Sequence, residues 1–340
     1  MADKNNPRLL RVALDAMGGD YAPAETVKGA VEAARRGIAE VLLVGDASAV
    51  NAELNKHVVT GLPLRVVPSE GCITENEHPA LALRKKPRAS VAVAARLVRT
   101  GQADAAVSMG STGASMAAAA VLMGLLPGIE RPGLGGNFLG LAPRAVILDL
   151  GSNVDCKPSQ LLSFAVMGAA FARTFLKIAN PRVALMSTGA EEAKGNKQVH
   201  EATPVFKASG LNFVGNVEGM DIFTDRADVI VCDGFVGNVL MKFAEGMGAA
   251  IAELLQRELA RSLPNETVEA LAKKLWDSTN TAKVAGGPLF GVNGIMVVGH
   301  GASHAEGIAG SVQMARWCVE VGLMEAMKQD LARMAPKVAT

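Results

Sequence analysis

Ala105-Ala-Val-Ser-Met-Gly-Ser-Thr-Gly-Ala-Ser115 passes from an apolar run into Gly, Ser and Thr, and the Ala-rich run Met116–Leu122 follows it. That order predicts a short strand, a tight loop and a helix N-terminus. At such an N-terminus several backbone N–H groups lack intrahelical partners, and the helix dipole adds partial positive charge. Together with the hydroxyls of Ser111 and Thr112, the turn suits an anion of phosphate size. Each hydroxyl is equally suited to capping the helix.

The same pattern repeats outward along the chain. Leu9–Leu14 ends in Asp15-Ala-Met-Gly-Gly-Asp20 and leads into helical spacing over Ala22–Arg36. Val41–Val44, Leu64–Val67, Ala145–Leu148, Val183–Met186, Val229–Val231 and Ile295–Val298 read as further strands. Helical runs at Ala89–Thr100, Pro158–Lys177, Asn196–Ala208 and His304–Met334 lie among them. Strands and helices in strict turn predict parallel pairing with right-handed crossovers and both sheet faces covered. The expectation is one large α/β domain over 1–340, with no repeat and no linker.

One segment breaks the rhythm. Val239–Arg261 and Glu266–Trp276 flank the turn Ser262-Leu-Pro-Asn265, which predicts a helical hairpin inserted at 239–277. Its apolar residues (Leu240, Phe243, Met247, Ile251, Leu254, Leu255, Leu259, Leu263) recur near the helical period. They suit packing against the domain or a second subunit, or membrane-surface contact at the Leu263 tip.

Composition narrows the function classes. The chain is 49% hydrophobic but 4% aromatic, so its core rests on Ala, Val, Leu, Ile and Met, and its 36 glycines suit many strand-to-helix turns. A net charge of +1 gives no reason to expect nucleic acid as a partner. Cys72, Cys156, Cys232 and Cys318 form no Cys-x-x-Cys pair, which argues against a zinc cluster and for a reduced, cytoplasmic setting. No apolar signal segment precedes the first strand, and Ala114–Leu126 is shorter than the roughly 20 residues a membrane span needs.

Five strand-end loops are rich in Gly with polar partners: Asp15–Asp20, Ser108–Ser115, Asp149–Asn153, Ser187–Gly195 and Asp233–Asn238. In a parallel sheet such loops border the ligand crevice, so a shared small-molecule site is expected. Lys194, beside Glu191 and Glu192 in a small polar loop, suits holding phosphate or polarising a carbonyl. Asn238 suits either a helix N-cap or a donor to a developing oxyanion. His300 and His304 lack the glutamate of a zinc-protease motif, and no metal is expected. No P-loop, full dinucleotide fingerprint or Gly-x-Ser-x-Gly elbow occurs. The residues therefore permit a reaction in which bound phosphate itself is the nucleophile.

Leu14-Asp-Ala-Met-Gly-Gly-Asp-Tyr-Ala-Pro23 resembles the opening signature of the bacterial phosphate acyltransferase (PlsX) family. Ser108–Ala114, Ile129-Glu-Arg-Pro132, Asp149–Asn153, Gly189–Asn196, Asp233–Val239, Gly291-Val-Asn-Gly294 and His300-Gly301 follow in family order, over nearly the whole chain. Two loops depart from the usual pattern: Ser-Ala-Gly-Asn-Thr-Gly-Ala reads with Met109 and Ser111 here, and Asp-x-Gly-Ala-Asn with Ser152.

The resemblance implies transfer of a fatty acyl group from acyl carrier protein to inorganic phosphate, giving acyl phosphate for phospholipid synthesis, with no cofactor. It implies a three-layer α/β/α sandwich with a mostly parallel sheet, like isopropylmalate dehydrogenase and phosphate acetyltransferase. Lys194 and Asn238 take the catalytic positions. Asp15, Gly18, Gly19, Ser108, Gly110, Ser111, Thr112, Gly113, Asn153, Gly237 and His300 take phosphate- or substrate-binding positions. A homodimer, peripheral association with the inner face of the cell membrane through the hairpin, and a downstream membrane glycerol-3-phosphate acyltransferase are also implied. Arg84, Lys85, Lys86 and Arg88 form the densest basic run and suit docking of the acidic carrier. The alternatives are an oxidoreductase of the isopropylmalate dehydrogenase type and a non-catalytic membrane scaffold for lipid enzymes.

Overall fold

A computed structural model describes residues 9–137, 140–260, 262–279 and 286–338. The chain opens with β1 (Arg11–Asp15), α1 (Ala24–Arg35), β2 (Glu40–Gly45), α2 (Ala47–Leu54), β3 (Leu64–Pro68), α3 (Pro79–Lys85), α4 (Ser90–Arg99), β4 (Ala105–Ser108) and α5 (Thr112–Ala118). It continues through β5 (Gly133–Gly136), β6 (Val146–Leu148), α6 (Pro158–Thr174), β7 (Val183–Met186), α7 (Lys197–Ser209), β8 (Phe213–Val217), β9 (Val229–Val231), α8 (Gly234–Leu259) and α9 (Asn265–Thr279). It closes with β10 (Gly287–Phe290), β11 (Met296–Val298), α10 (Ala305–Glu320) and α11 (Leu323–Val338).

Where the sequence reading expects one large domain, the internal contacts gather the chain into two compact units. The first comprises Met1–Leu125 with Ala285–Met324, and the second Leu126–Val284 with Glu325–Thr340.

In the first unit the strands run β3-β2-β1-β4-β11-β10, parallel except for the antiparallel pair β10/β11. The runs Val12–Leu14 and Ala105–Val107 are wholly buried, as expected of central strands covered on both faces. Helices α1, α2 and α10 pack among themselves, and so do α3, α4 and α5.

The second unit orders its strands β5-β6-β9-β7-β8, parallel except for β5/β6. Helix α6 is apolar nearly all round because it lies against β5, β6 and β9 on one side and α7 on another. Phe164 and Phe171 on α6 are fully buried, so truncating either to Ala is expected to cost about 3–5 kcal/mol.

The alternation and the hairpin are present, with differences that have physical reasons. Strand β5 is Gly-Leu-Gly-Gly, a composition with no strand propensity. It pairs with β6 because Gly135 sits where a β-carbon would overlap the Ile147 carbonyl. The hairpin's first helix starts at Gly234, five residues before the expected Val239, because Asp233 caps it there. The long terminal helix is broken at Val321–Gly322, where Gly322 adopts φ +66°.

Candidate active site

Adjacent parallel strands β1, β4 and β11 of the first unit send three loops off one carboxyl edge: 15–20, 108–113 and 299–304. Asp15 ends β1 and is 2% exposed. Its Oδ2 accepts from the Ser108 hydroxyl at 2.8 Å and its Oδ1 from the Met17 N–H at 3.2 Å. Ser108 Oγ in turn accepts from the Gly110 N–H at 3.1 Å. Burial pushes the Asp15 carboxyl up, and hydrogen bonds from Ser90, Ser108 and the Met17 and Gly18 N–H groups oppose the shift in part. Gly18 lies so close that a β-carbon there would be 2.7 Å from the Gly110 nitrogen.

Asp15 and Ser108, read as substrate-binding, are therefore buried and bonded to each other. Ser111 is the N-cap of α5, its Oγ accepting from the Ala114 N–H at 3.4 Å. The Thr112 side chain is half-buried and makes no hydrogen bond among the described residues. Met109, one of the departures from the family pattern, is buried beneath Gly19 and Gly299 and fills core space.

His300 is half-buried, and its Nδ1 accepts from the Ala302 N–H at 3.1 Å. His304 precedes α10, stacks on Tyr21 at 4.7 Å between ring centroids and lies 3.5 Å from Glu25. Among the described residues no group of three His, Cys, Asp or Glu side chains is placed to hold a metal ion.

The second unit repeats this arrangement on β6, β9 and β7, also adjacent and parallel, with loops 149–153 and 187–195 and, after the short turn 232–233, the first turns of α8. Asp149 is fully buried and accepts four hydrogen bonds. Oδ1 takes the N–H groups of Leu134 (3.0 Å) and Ser152 (3.1 Å). Oδ2 takes the Asn153 N–H (2.8 Å) and the Asn153 side-chain amide (2.9 Å). Burial raises its pKa, and the bonds to Asn153, Leu134 and Ser152 oppose that. Asn153 also donates to the Pro132 carbonyl at 2.9 Å and is 2% exposed, so its amide is used within the scaffold.

The N-cap of α8 is Asp233, whose carboxylate accepts from the Val236 N–H at 2.8 Å. Asn238 is thus not a cap. It lies on the second turn of α8, exposed to solvent. Gly237 beside it is buried where a β-carbon would overlap the Asp149 carbonyl oxygen. Lys194 is also exposed, and among the described residues its ammonium has no ion pair or hydrogen bond. Its loop is held from below by Asn216 of β8, whose amide donates to the carbonyls of Glu191 (3.0 Å) and Lys194 (3.2 Å).

Asp149 and Asn216 are not among the residues that the sequence reading marks as functional. Asp149 carries a signal, since Leu148-Asp-Leu-Gly-Ser-Asn153 echoes Leu14-Asp-Ala-Met-Gly-Gly19; Asn216 carries none. Cys156, near this loop, is pushed up to about 12 by burial and by the charges of Asp149 and Asp233, so it is a poor nucleophile.

The basic run is partly neutralised. Lys86 pairs with Glu77 at 2.7 Å and donates to the Cys72 carbonyl, and Arg88 pairs with Glu70 at 3.2 Å. Arg84 and Lys85 are exposed at the end of α3.

The fold is that of the phosphotransacylases. A phosphotransacetylase from Streptococcus pyogenes superposes with a TM-score of 0.60 at 18% identity, covering 92% of this chain and 94% of that one. A branched-chain phosphotransacylase from Enterococcus faecalis gives 0.55 at 17% identity, over 91% and 99%.

Sequence relatives are far closer. The phosphate acyltransferase of Pelotomaculum thermopropionicum is 42% identical over 334 residues, 97% of each chain. That of Heliobacterium modesticaldum is 44% identical over 332 residues, covering 95% of this chain and 98% of the relative. The family described as "Fatty acid synthesis protein" matches residues 10–326. This chain belongs to that family of phosphate acyltransferases. It is an acyltransferase that uses phosphate as acceptor, which sets aside the oxidoreductase and scaffold alternatives.

Proposed function

We propose that the acyl donor is a fatty acyl thioester of acyl carrier protein and that the product, acyl phosphate, feeds phospholipid synthesis. A phosphate oxygen attacks the thioester carbonyl carbon and the carbon–sulfur bond breaks. The proton of hydrogen phosphate passes to the leaving thiolate, giving acyl phosphate and the free carrier thiol. The observation that carries this reading is that Lys194, on the loop after β7, and Asn238, on the second turn of the helix after the adjacent strand β9, are both exposed polar groups.

The Asn238 amide and the Lys194 ammonium polarise the carbonyl as charge develops on its oxygen. The Ser111–Thr112 turn, with the backbone N–H groups of Gly110 and Gly113 and the imidazole of His300, is assigned to binding the anion. Gly18, Gly19 and Gly237 serve by allowing close backbone approach.

The test is acyl phosphate formation by purified protein from palmitoyl-acyl carrier protein and inorganic phosphate, without added metal or nucleotide. Phosphate-dependent product is expected. No product from folded protein with the carrier donor, but product from a coenzyme A thioester, would overturn the choice of donor.

Arg84 and Lys85, with Lys86 and Arg88, are assigned to docking the acidic carrier. Lys85→Glu with Lys86→Glu is expected to raise the carrier KM and leave the phosphate KM alone; an unchanged carrier KM would remove the assignment.

The outward residues of α8, Phe235, Val239, Phe243, Met247, Ile251 and Leu254, are each more than a third exposed. They are assigned to a homodimer contact, and Leu263 at the hairpin tip to the inner face of the cell membrane, where a glycerol-3-phosphate acyltransferase consumes the product. Leu263→Glu is expected to lower co-sedimentation with liposomes while sedimentation velocity still reports a dimer. No helix among the described residues is long and apolar enough to cross a membrane.

A further inference from the structure

We propose that Asp149 is a positioning residue for Asn238: its carboxylate shapes the 149–153 loop that seats the second turn of α8. This rests on the reading of Asn238 as the carbonyl-polarising group.

Three contacts tie the loop to the helix. The Gly234 N–H, at the first turn of α8, donates to the Asn153 carbonyl at 2.7 Å. Gly237 closes on the Asp149 carbonyl so tightly that no side chain fits between them. The Asn238 side chain rests on Gly151, where an added β-carbon would lie 3.5 Å from its Cβ and 3.6 Å from its Oδ1.

The loop has its shape because one carboxylate gathers donors from three directions. These are Leu134 on β5, Ser152 at the loop's turn, and both the backbone and side chain of Asn153. The Asp149 backbone is fixed as well, its N–H donating to the Cys232 carbonyl at 3.1 Å while the Cys232 N–H donates to the Leu148 carbonyl at 2.6 Å. A buried carboxylate with both oxygens doubly occupied has no capacity left for substrate. Its contribution passes through the atoms it holds, and the exposed group at the end of that chain of contacts is the Asn238 amide. Because three of the four donors are main-chain groups and the helix approach is closed, a change at Asp149 is passed on to Asn238, and group transfer is sensitive to displacements of about 1 Å.

The experiment measures kcat and both KM values for Asp149→Asn and Asn153→Ala, each alone and combined with Asn238→Ala. Asn153→Ala removes one of the four donors and leaves the buried carboxylate in place, so it decides the matter if Asp149→Asn does not fold. Each single variant is expected to lower kcat between about 10- and 100-fold while the phosphate KM stays within about twofold. In the Asn238→Ala background neither is expected to lower kcat further. Unchanged kcat in a folded single variant, or the same loss with and without Asn238, overturns the positioning role. Full turnover by Asn238→Ala alone overturns the reading of Asn238, and the proposal with it.

Discussion

Asp15 and Asp149 hold the same place in their respective units: each stands at the carboxyl end of a buried parallel strand, next to a glycine-bearing loop. In both, burial pushes the carboxyl above its usual range. They differ in what donates to them. Asp15 faces the N–H groups of Met17 and Gly18 and two hydroxyls, of Ser108 and Ser90, that can rotate. Asp149 faces three main-chain N–H groups, which cannot become acceptors, and the Asn153 amide, which could turn only by giving up its bond to the Pro132 carbonyl. The unit with the adaptable carboxyl carries the Ser111–Thr112 turn that we assign to the anion. The unit with the locked one carries the exposed side chains, Lys194 and Asn238. A loop that presents backbone tolerates some play, whereas one that aims a side chain needs a fixed seat.

Amide substitution separates the two carboxyls sharply. Asp149→Asn leaves two donors facing an NH₂ group whichever way the amide is turned. Each buried orphan costs about 1–3 kcal/mol, so a loss of about 2–6 kcal/mol is expected in urea or thermal unfolding at neutral pH. Stability equal to wild type would mean the four bonds are not made as described.

Removing the hydroxyl that caps α5 is a smaller perturbation. Ser111→Ala is expected to cost about 1 kcal/mol, because its cap bond is long at 3.4 Å, and to raise the phosphate KM more than it lowers kcat. A fall in kcat alone would move Ser111 out of the binding role.

Asp15→Asn is expected to have the smallest effect at neutral pH, since the Ser108 and Ser90 hydroxyls can turn to accept from the amide while its oxygen keeps a main-chain donor. A carboxyl whose pKa is raised by folding contributes its stability below the unfolded value near 3.8 and loses it as pH rises through the folded value. Replacing it with an amide removes that loss. The variant should therefore gain on wild type as pH rises from about 4 to 7, read as the difference in Tm. A difference that shrinks over that range would show that Asp15 ionises in the fold without penalty.

Much of this arrangement is legible in the order of residues alone. Strand ends marked by glycine loops predict the parallel core, and the 3.6-residue pattern predicts the hairpin. The Gly-Ser-Thr turn predicts α5, and Lys194 stands out as a cation among small residues. What stays hidden depends on contacts distant in sequence. Strand β5 has no strand composition and exists because β6 lies beside it. Asn153 and Ser108 carry polar side chains that suit a ligand equally well, and only the fold turns them inward. Asp233-Gly234 reads as a turn until the capping bond to Val236 shows it is a helix start, which moves Asn238 from the cap to the second turn.

The most direct test of the account is the kcat of Asn238→Ala on acyl-carrier-protein thioester and phosphate, with folding checked by circular dichroism. A fall of about 10²-fold or more with substrate KM values little changed is expected, the scale on which removing one oxyanion donor acts. Turnover near that of wild type would contradict the assignment of carbonyl polarisation to the exposed side chains of the second unit.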